Sequence, residues 1–175
     1  MELVYDNVTM KNMKKGFTLV EILVAVSIMM IISGLILGGF TFSQRKSRDA
    51  KRKSSLSQIS RALELFNEDF GRYPIGVDGE IVGCQSGAGS VLEACNWGEE
   101  VSGYPDGVYQ LYISKLPSDP KVNFDYFYES DGSDINLYAA LENDNDEDYR
   151  GDLTQECGSG VTCSYLLTGY GVEVE

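Results

Sequence analysis

The stretch that decides the fold is FTLVEILVAVSIMMIISGLILGGFTF, residues 17–42. It is 26 residues long, and its only charge is Glu21. A helix rises about 1.5 Å per residue, so such a segment reaches roughly 39 Å, enough to cross a hydrocarbon core of about 30 Å with some tilt. A soluble protein this small rarely needs a buried helix so long. The run therefore predicts a transmembrane helix over 17–44, apolar on every side.

Beyond Gln44 the pattern changes. Leu56, Ile59, Leu63, Phe66 and Phe70 recur at spacings of three and four, which is one apolar stripe on a helix. No proline or glycine occurs between Gly39 and Gly71, while Gly71 supplies a stop and Pro74 follows it. The spacing predicts one helix over 17–70, near 80 Å at the standard rise. Its second part, 45–71, is amphipathic and rests on a globular head. Gly34 and Gly38 make a GxxxG that would let helices pack closely, although glycine is common in membrane helices anyway. The Gly38-Gly39 pair is a candidate weak point.

The head, 72–175, is rich in Gly, Asp, Tyr and Ser and reads as strands and loops. Residues 124–141 form the clearest hairpin. Tyr126 and Tyr128 alternate with Asp125, Phe127 and Glu129, the turn SDGSD follows, and 135–141 return. A last strand is expected at 165–167, and loops at 75–105 and 142–160. Tyr104, Tyr109, Tyr112, Tyr126 and Tyr128 read as core and sheet-face residues.

The chain carries 27 Asp and Glu against 14 Lys and Arg, a net charge of −13. That sign opposes general nucleic-acid binding, which needs a basic surface. The charge is also uneven: residues 45–61 hold seven bases and one acid, Asp49, whereas from Tyr73 onward there are 20 acids and three bases. The collar RKSRDAKRK, 45–53, could touch lipid headgroups, bind acidic heads of neighbouring subunits, or be a solvated helix face. Asp144, Asp146 and Asp148 alternate as calcium ligands often do, with Asp152 nearby. The closing glutamate and the glycine of an EF-hand are missing, so a solvated acidic loop competes with a calcium site.

No histidine is present. A Ser-His-Asp triad, a Cys-His pair and His-ligated metals are thereby excluded, and no nucleophile elbow or phosphate loop is seen. The chain reads as a structural protein, not an enzyme. Cys84, Cys95, Cys157 and Cys163 form no CxxC, and disulfides in an oxidising compartment suit them better than zinc. Local pairing suggests Cys84 with Cys95 and Cys157 with Cys163, among three possible connectivities.

The N-terminus lacks the order of a standard secretory signal, in which the apolar core precedes the cut. Lys11, Lys14 and Lys15 lead straight to Gly16, and the apolar run lies beyond. KKGFTLVE, 14–21, resembles the class III signal of type IV prepilins and type II secretion pseudopilins. That resemblance implies a leader, 1–16, removed by a membrane prepilin peptidase cutting after Gly16. It also implies N-methylation of the new terminus, Phe17, and a requirement for Glu21 in assembly. Met10 or Met13 would serve as alternative starts.

Elementary physics points the same way. A carboxylate within a membrane helix costs about 2.5–3.5 kcal/mol on insertion scales and usually marks function. The cut would create an α-amine at Phe17, one turn from Glu21. In a fibre, the amine of one subunit can meet Glu21 of another and set axial register. The competing reading leaves Glu21 at the headgroup boundary.

The resemblance persists through ALELFNEDFGRYP (62–74), LPSDP (116–120), FDYFYESDG (124–132) and LYAALEN (137–143). It implies an α+β, pilin-like fold, with a long helix packed by its C-terminal half on a small antiparallel sheet. It further implies a single-pass inner-membrane protein with its head outside the cytoplasm. An assembly platform would then move it into a helical fibre with other copies or other pilins. The fibre would be a surface pilus for adhesion, motility or DNA uptake, or alternatively the periplasmic pseudopilus of type II secretion. A plain single-span protein with a binding head is the remaining reading. Major pseudopilins hold calcium in a C-terminal loop, but that loop is not matched residue by residue here.

Overall fold

The structure is a computed structural model that describes residues 16–169 and 171–172, without the side chains of 35–39, 171 and 172. Apart from Gly16, the expected leader lies outside the described residues.

One helix, α1 (Leu19–Phe70), dominates the order of elements. Thr18 caps its start: its Oγ1 accepts the Glu21 N–H at 3.3 Å. TLVE is thus half of a reciprocal capping box of the S/T-x-x-E type. The helix runs unbroken through Gly34, Gly38 and Gly39, so the glycine pair does not interrupt it. It stops where the sequence places a stop. Gly71 takes φ 68°, and its N–H donates to the Asn67 carbonyl at 2.8 Å, a left-handed C-terminal cap.

The chain divides into two compact units between Thr41 and Phe42. In the first, every described side chain of α1 is exposed, Leu19 at 80% and Met30 at 69%. Among the described residues, no helix is long and apolar enough to cross a membrane. The expected span over 17–44 includes residues 35–39, whose side chains lie outside the described residues.

In the second unit, α1 from Phe42 onward packs with three antiparallel sheets. The first comprises β1 (Ile75–Val77), β2 (Glu80–Cys84) and β3 (Glu93–Ala94). The second pairs β4 (Val101–Gly103) with β5 (Gln110–Ile113) across a single 3-10 turn, Pro105–Gly107. The third has the order β6 (Phe127–Glu129), β7 (Asn136–Ala139), β8 (Tyr165–Thr168), β9 (Gly171–Val172). The α+β, pilin-like arrangement is as expected, and so is the hairpin of β6 and β7, in which Gly132 takes φ 100°.

The expectation of a loop over 75–105 is wrong, since β1 to β4 lie there. The missed signal is Asp78-Gly79, at φ 51° and 85°, between β1 and β2. Asp-Gly between short apolar runs is a strong hairpin signal, because both positions need positive φ. These strands are too short to show a period.

The apolar stripe of α1 forms the core. Leu56, Ile59, Leu63 and Phe66 are at most 1% exposed. They join a core cluster with Ile81, Val101, Tyr112, Leu116, Tyr128, Leu137 and Leu167. Burial of side chains this size stabilises by about 1.5–3 kcal/mol each. Tyr126 and Tyr128 are in this core, but Tyr109 is 47% exposed and stacks edge-on with Tyr104 at 5.5 Å. Tyr109 is a surface residue and Tyr104 is half-buried, and neither belongs to the buried core. The disulfide Cys157–Cys163 belongs to a second cluster, with Tyr138, Ala140 and Leu166, packed with Phe124, Phe127 and Leu153. Strand β7 contributes to both clusters, so it reads NLYA, apolar without alternation. The disulfide Cys84–Cys95 joins β2 to the residue after β3.

Candidate functional site

Two regions carry chemistry. The first is the start of α1. Gly16 has open space where a side chain would go, and Phe17 is 77% exposed. Glu21 is also exposed, and among the described residues no ion pair holds its carboxylate. Ile22, Leu23, Val26 and Met30 continue an apolar surface on the same unit. An anion in the first turn of a helix is favoured by the helix dipole, by about 0.3–1 kcal/mol.

The second region is the basic collar. Extending the apolar stripe backward from Leu56 by steps of four and three reaches Arg52 and Asp49. These residues share the packed face and are buried, with Arg52 fully inaccessible. The Arg52 guanidinium donates to both oxygens of Asp119 at 2.7 and 2.9 Å, to Asp49 at 2.7 Å and to Glu142 at 3.0 Å. The Asp49 carboxylate also accepts the backbone N–H groups of Glu142 and Asn143, each at 3.0 Å. Arg48 grips Glu142 with two bonds of 2.6 Å. Lys53, one turn after Asp49, donates to Asp148 at 2.6 Å and to Asp146. Much of the collar is therefore neither a solvated face nor a free lipid-binding patch. Arg48, Arg52 and Lys53 clasp the acidic loop of their own chain, while Arg45 and Lys51 remain exposed.

The hydrogen bonds from Arg48, with help from Arg52 and Lys121, hold the Glu142 carboxyl at about 2 despite its burial. A carboxyl that titrates lower in the folded state stabilises fully above its unfolded pKa, and that stabilisation drains away as pH falls through the folded value. Glu142→Gln is therefore expected to lower the thermal midpoint most near neutrality. The gap from the unsubstituted chain should close between pH 4.5 and about 2. Thermal melts at stepped pH check this, and a gap that persists unchanged to pH 2 contradicts it.

Of the four aspartates put forward for calcium, only Asp146 and Asp148 are brought to a common point. Asp146 and Asp148 are bound to Lys53, Asp152 pairs with Arg150 at 2.7 Å, and the Asp144 carboxylate accepts from Asn145. Among the described residues, no group of three or more acids or cysteines could hold a metal ion.

The family described as "Prokaryotic N-terminal methylation motif" matches residues 11–37, which contain the Gly16–Phe17 junction and Glu21. The type II secretion system core protein G of Vibrio cholerae is 30% identical over 125 residues, covering 70% of this chain and 77% of that protein. The chain belongs to the type IV pilin and pseudopilin family. Two other core proteins G show how far the likeness extends. That of Aeromonas hydrophila is 27% identical over 110 residues, 63% of this pilin-like chain and 69% of its own. That of Dickeya chrysanthemi is 28% identical over 112 residues, 63% and 65%. No solved structure matches the chain.

As a member of the pilin and pseudopilin family, the chain is a structural subunit, not an enzyme. Residues 16, 17 and 21 of this pilin-like protein stand together at one helix end. No motif in the sequence announces the clasp between collar and acidic loop. Its available signal was helical phase, since Asp49 and Arg52 continue the stripe that ends in Phe70.

Proposed function

We propose that this chain is a pseudopilin of a type II secretion system. It is made as a precursor, cut by a prepilin peptidase after Gly16 and N-methylated on Phe17. The apolar part of its helix, 17–44, anchors it in the inner membrane with the head outside the cytoplasm. An assembly platform then packs it, with further copies or other pilins, into a periplasmic fibre. The observation that carries this reading is the likeness to core protein G over 125 residues, which reaches far beyond the methylation motif. It supports the secretion pseudopilus better than a surface pilus for adhesion, motility or DNA uptake. Burial drives assembly: each helix exchanges lipid for neighbouring helices, with Glu21 matched to a neighbour's α-amine.

N-terminal sequencing and mass spectrometry of the mature protein test the processing. The expected terminus is N-methylated Phe17, and a mature chain that keeps Lys14 and Lys15 overturns it. Deletion separates the two fibres. Loss of exported proteins, with no change in surface fibres, is expected of the pseudopilin; loss of surface fibres identifies a pilus instead.

A further inference from the structure

We propose that Lys53 is the resident cation of the acidic loop, so that this head closes without calcium. The loop is brought to the lysine already shaped. Its first residues are pinned by Asp49, whose carboxylate accepts the N–H groups of Glu142 and Asn143. Asp146 N–H then donates to the Asn143 carbonyl at 3.2 Å, and Asp148 N–H to Asp146 Oδ1 at 3.1 Å. Both carboxylates thereby converge on one point, and Nζ of Lys53 occupies it.

Asp49 and Lys53 are four residues apart, hence on one face of α1, which fixes the lysine over the loop it serves. Its side chain is 25% exposed, those of Asp146 and Asp148 20% each, and the ring of Tyr165 lies 5.6 Å from Nζ. An ammonium has three donors and no acceptor, so two carboxylates satisfy most of it. Burial pushes the lysine's pKa down, yet the bonds to the two aspartates outweigh it and leave it raised, so the charge is permanent at neutral pH. A divalent ion would need six to eight oxygens at that point and would face this fixed positive charge. Asp144 and Asp152 are engaged elsewhere and do not complete such a shell.

Thermal melts of the full chain in detergent micelles test the proposal. The midpoint of the unsubstituted chain is expected to be the same in excess calcium chloride and in excess chelator; a rise with calcium overturns the proposal. Lys53→Met is expected to lower the midpoint by about 2–4 °C. In an Asp146→Asn, Asp148→Asn background the same substitution should cost far less, because the charges it leaves unpaired are gone. An equal drop in both backgrounds overturns the role of Lys53 as the loop's cation.

Discussion

Glu21→Ala is expected to leave removal of the leader at Gly16 intact and to abolish fibre assembly. The helix itself tolerates the change. Losing a carboxylate from the first turn removes about 0.3–1 kcal/mol of dipole interaction, which is small for a helix of 52 residues capped by Thr18. Assembly is another matter. The α-amine freed at Phe17 must enter a bundle of apolar helices, and a charge left alone there is penalised by several kcal/mol. Glu21 is the only opposite charge in the apolar run. Negative-stain microscopy of fibres, paired with N-terminal sequencing of the membrane-held subunit, reads both halves of the outcome. Normal fibres from the variant would refute the pairing.

Arg52→Met is expected to destabilise the head by about 3–5 kcal/mol, the usual consequence of removing one partner from a buried charge network. The substitution keeps helix propensity and much of the volume, so the loss is electrostatic. It strands Asp49 and Asp119, whose side chains are at most 2% exposed, together with Glu142. At this chain length, the thermal midpoint should fall by roughly 10 °C. Adding Asp49→Asn and Asp119→Asn should recover part of it, because amides need no counter-charge. Circular dichroism melts at neutral pH measure the series. A midpoint within a degree of the unsubstituted chain would contradict the buried network.

The two substitutions differ in how far their reasons could be read from the sequence. Glu21 stands out without any structure, because a lone carboxylate in an apolar run after KKGF is anomalous. Arg52 does not stand out. It is one of six like charges in RKSRDAKRK, and such a run ordinarily points to water. Only its phase relative to Leu56 marks it as inward, and phase alone does not say what it will meet.

The same limit explains the short strands. The hairpin of β6 and β7 was legible because FDYFYE alternates and SDG supplies the turn. Strands β1 to β4 span two to five residues each, and only Asp78-Gly79 announces them. Tyr109 shows a related limit: an aromatic residue fits a sheet face whether or not another layer covers that face.

By itself, the amino-acid sequence determined the processing signature, the long helix with its stop at Gly71, the inward stripe from Leu56 to Phe70 and the absence of catalytic machinery. These are local or periodic properties, set by spacing along one segment. Only the tertiary structure decided the fate of the charges. Whether Arg52 and Lys53 meet lipid, a neighbour, a metal's ligands or their own chain depends on segments 67 to 95 residues away, and a partner at that distance is chosen by packing rather than by spacing.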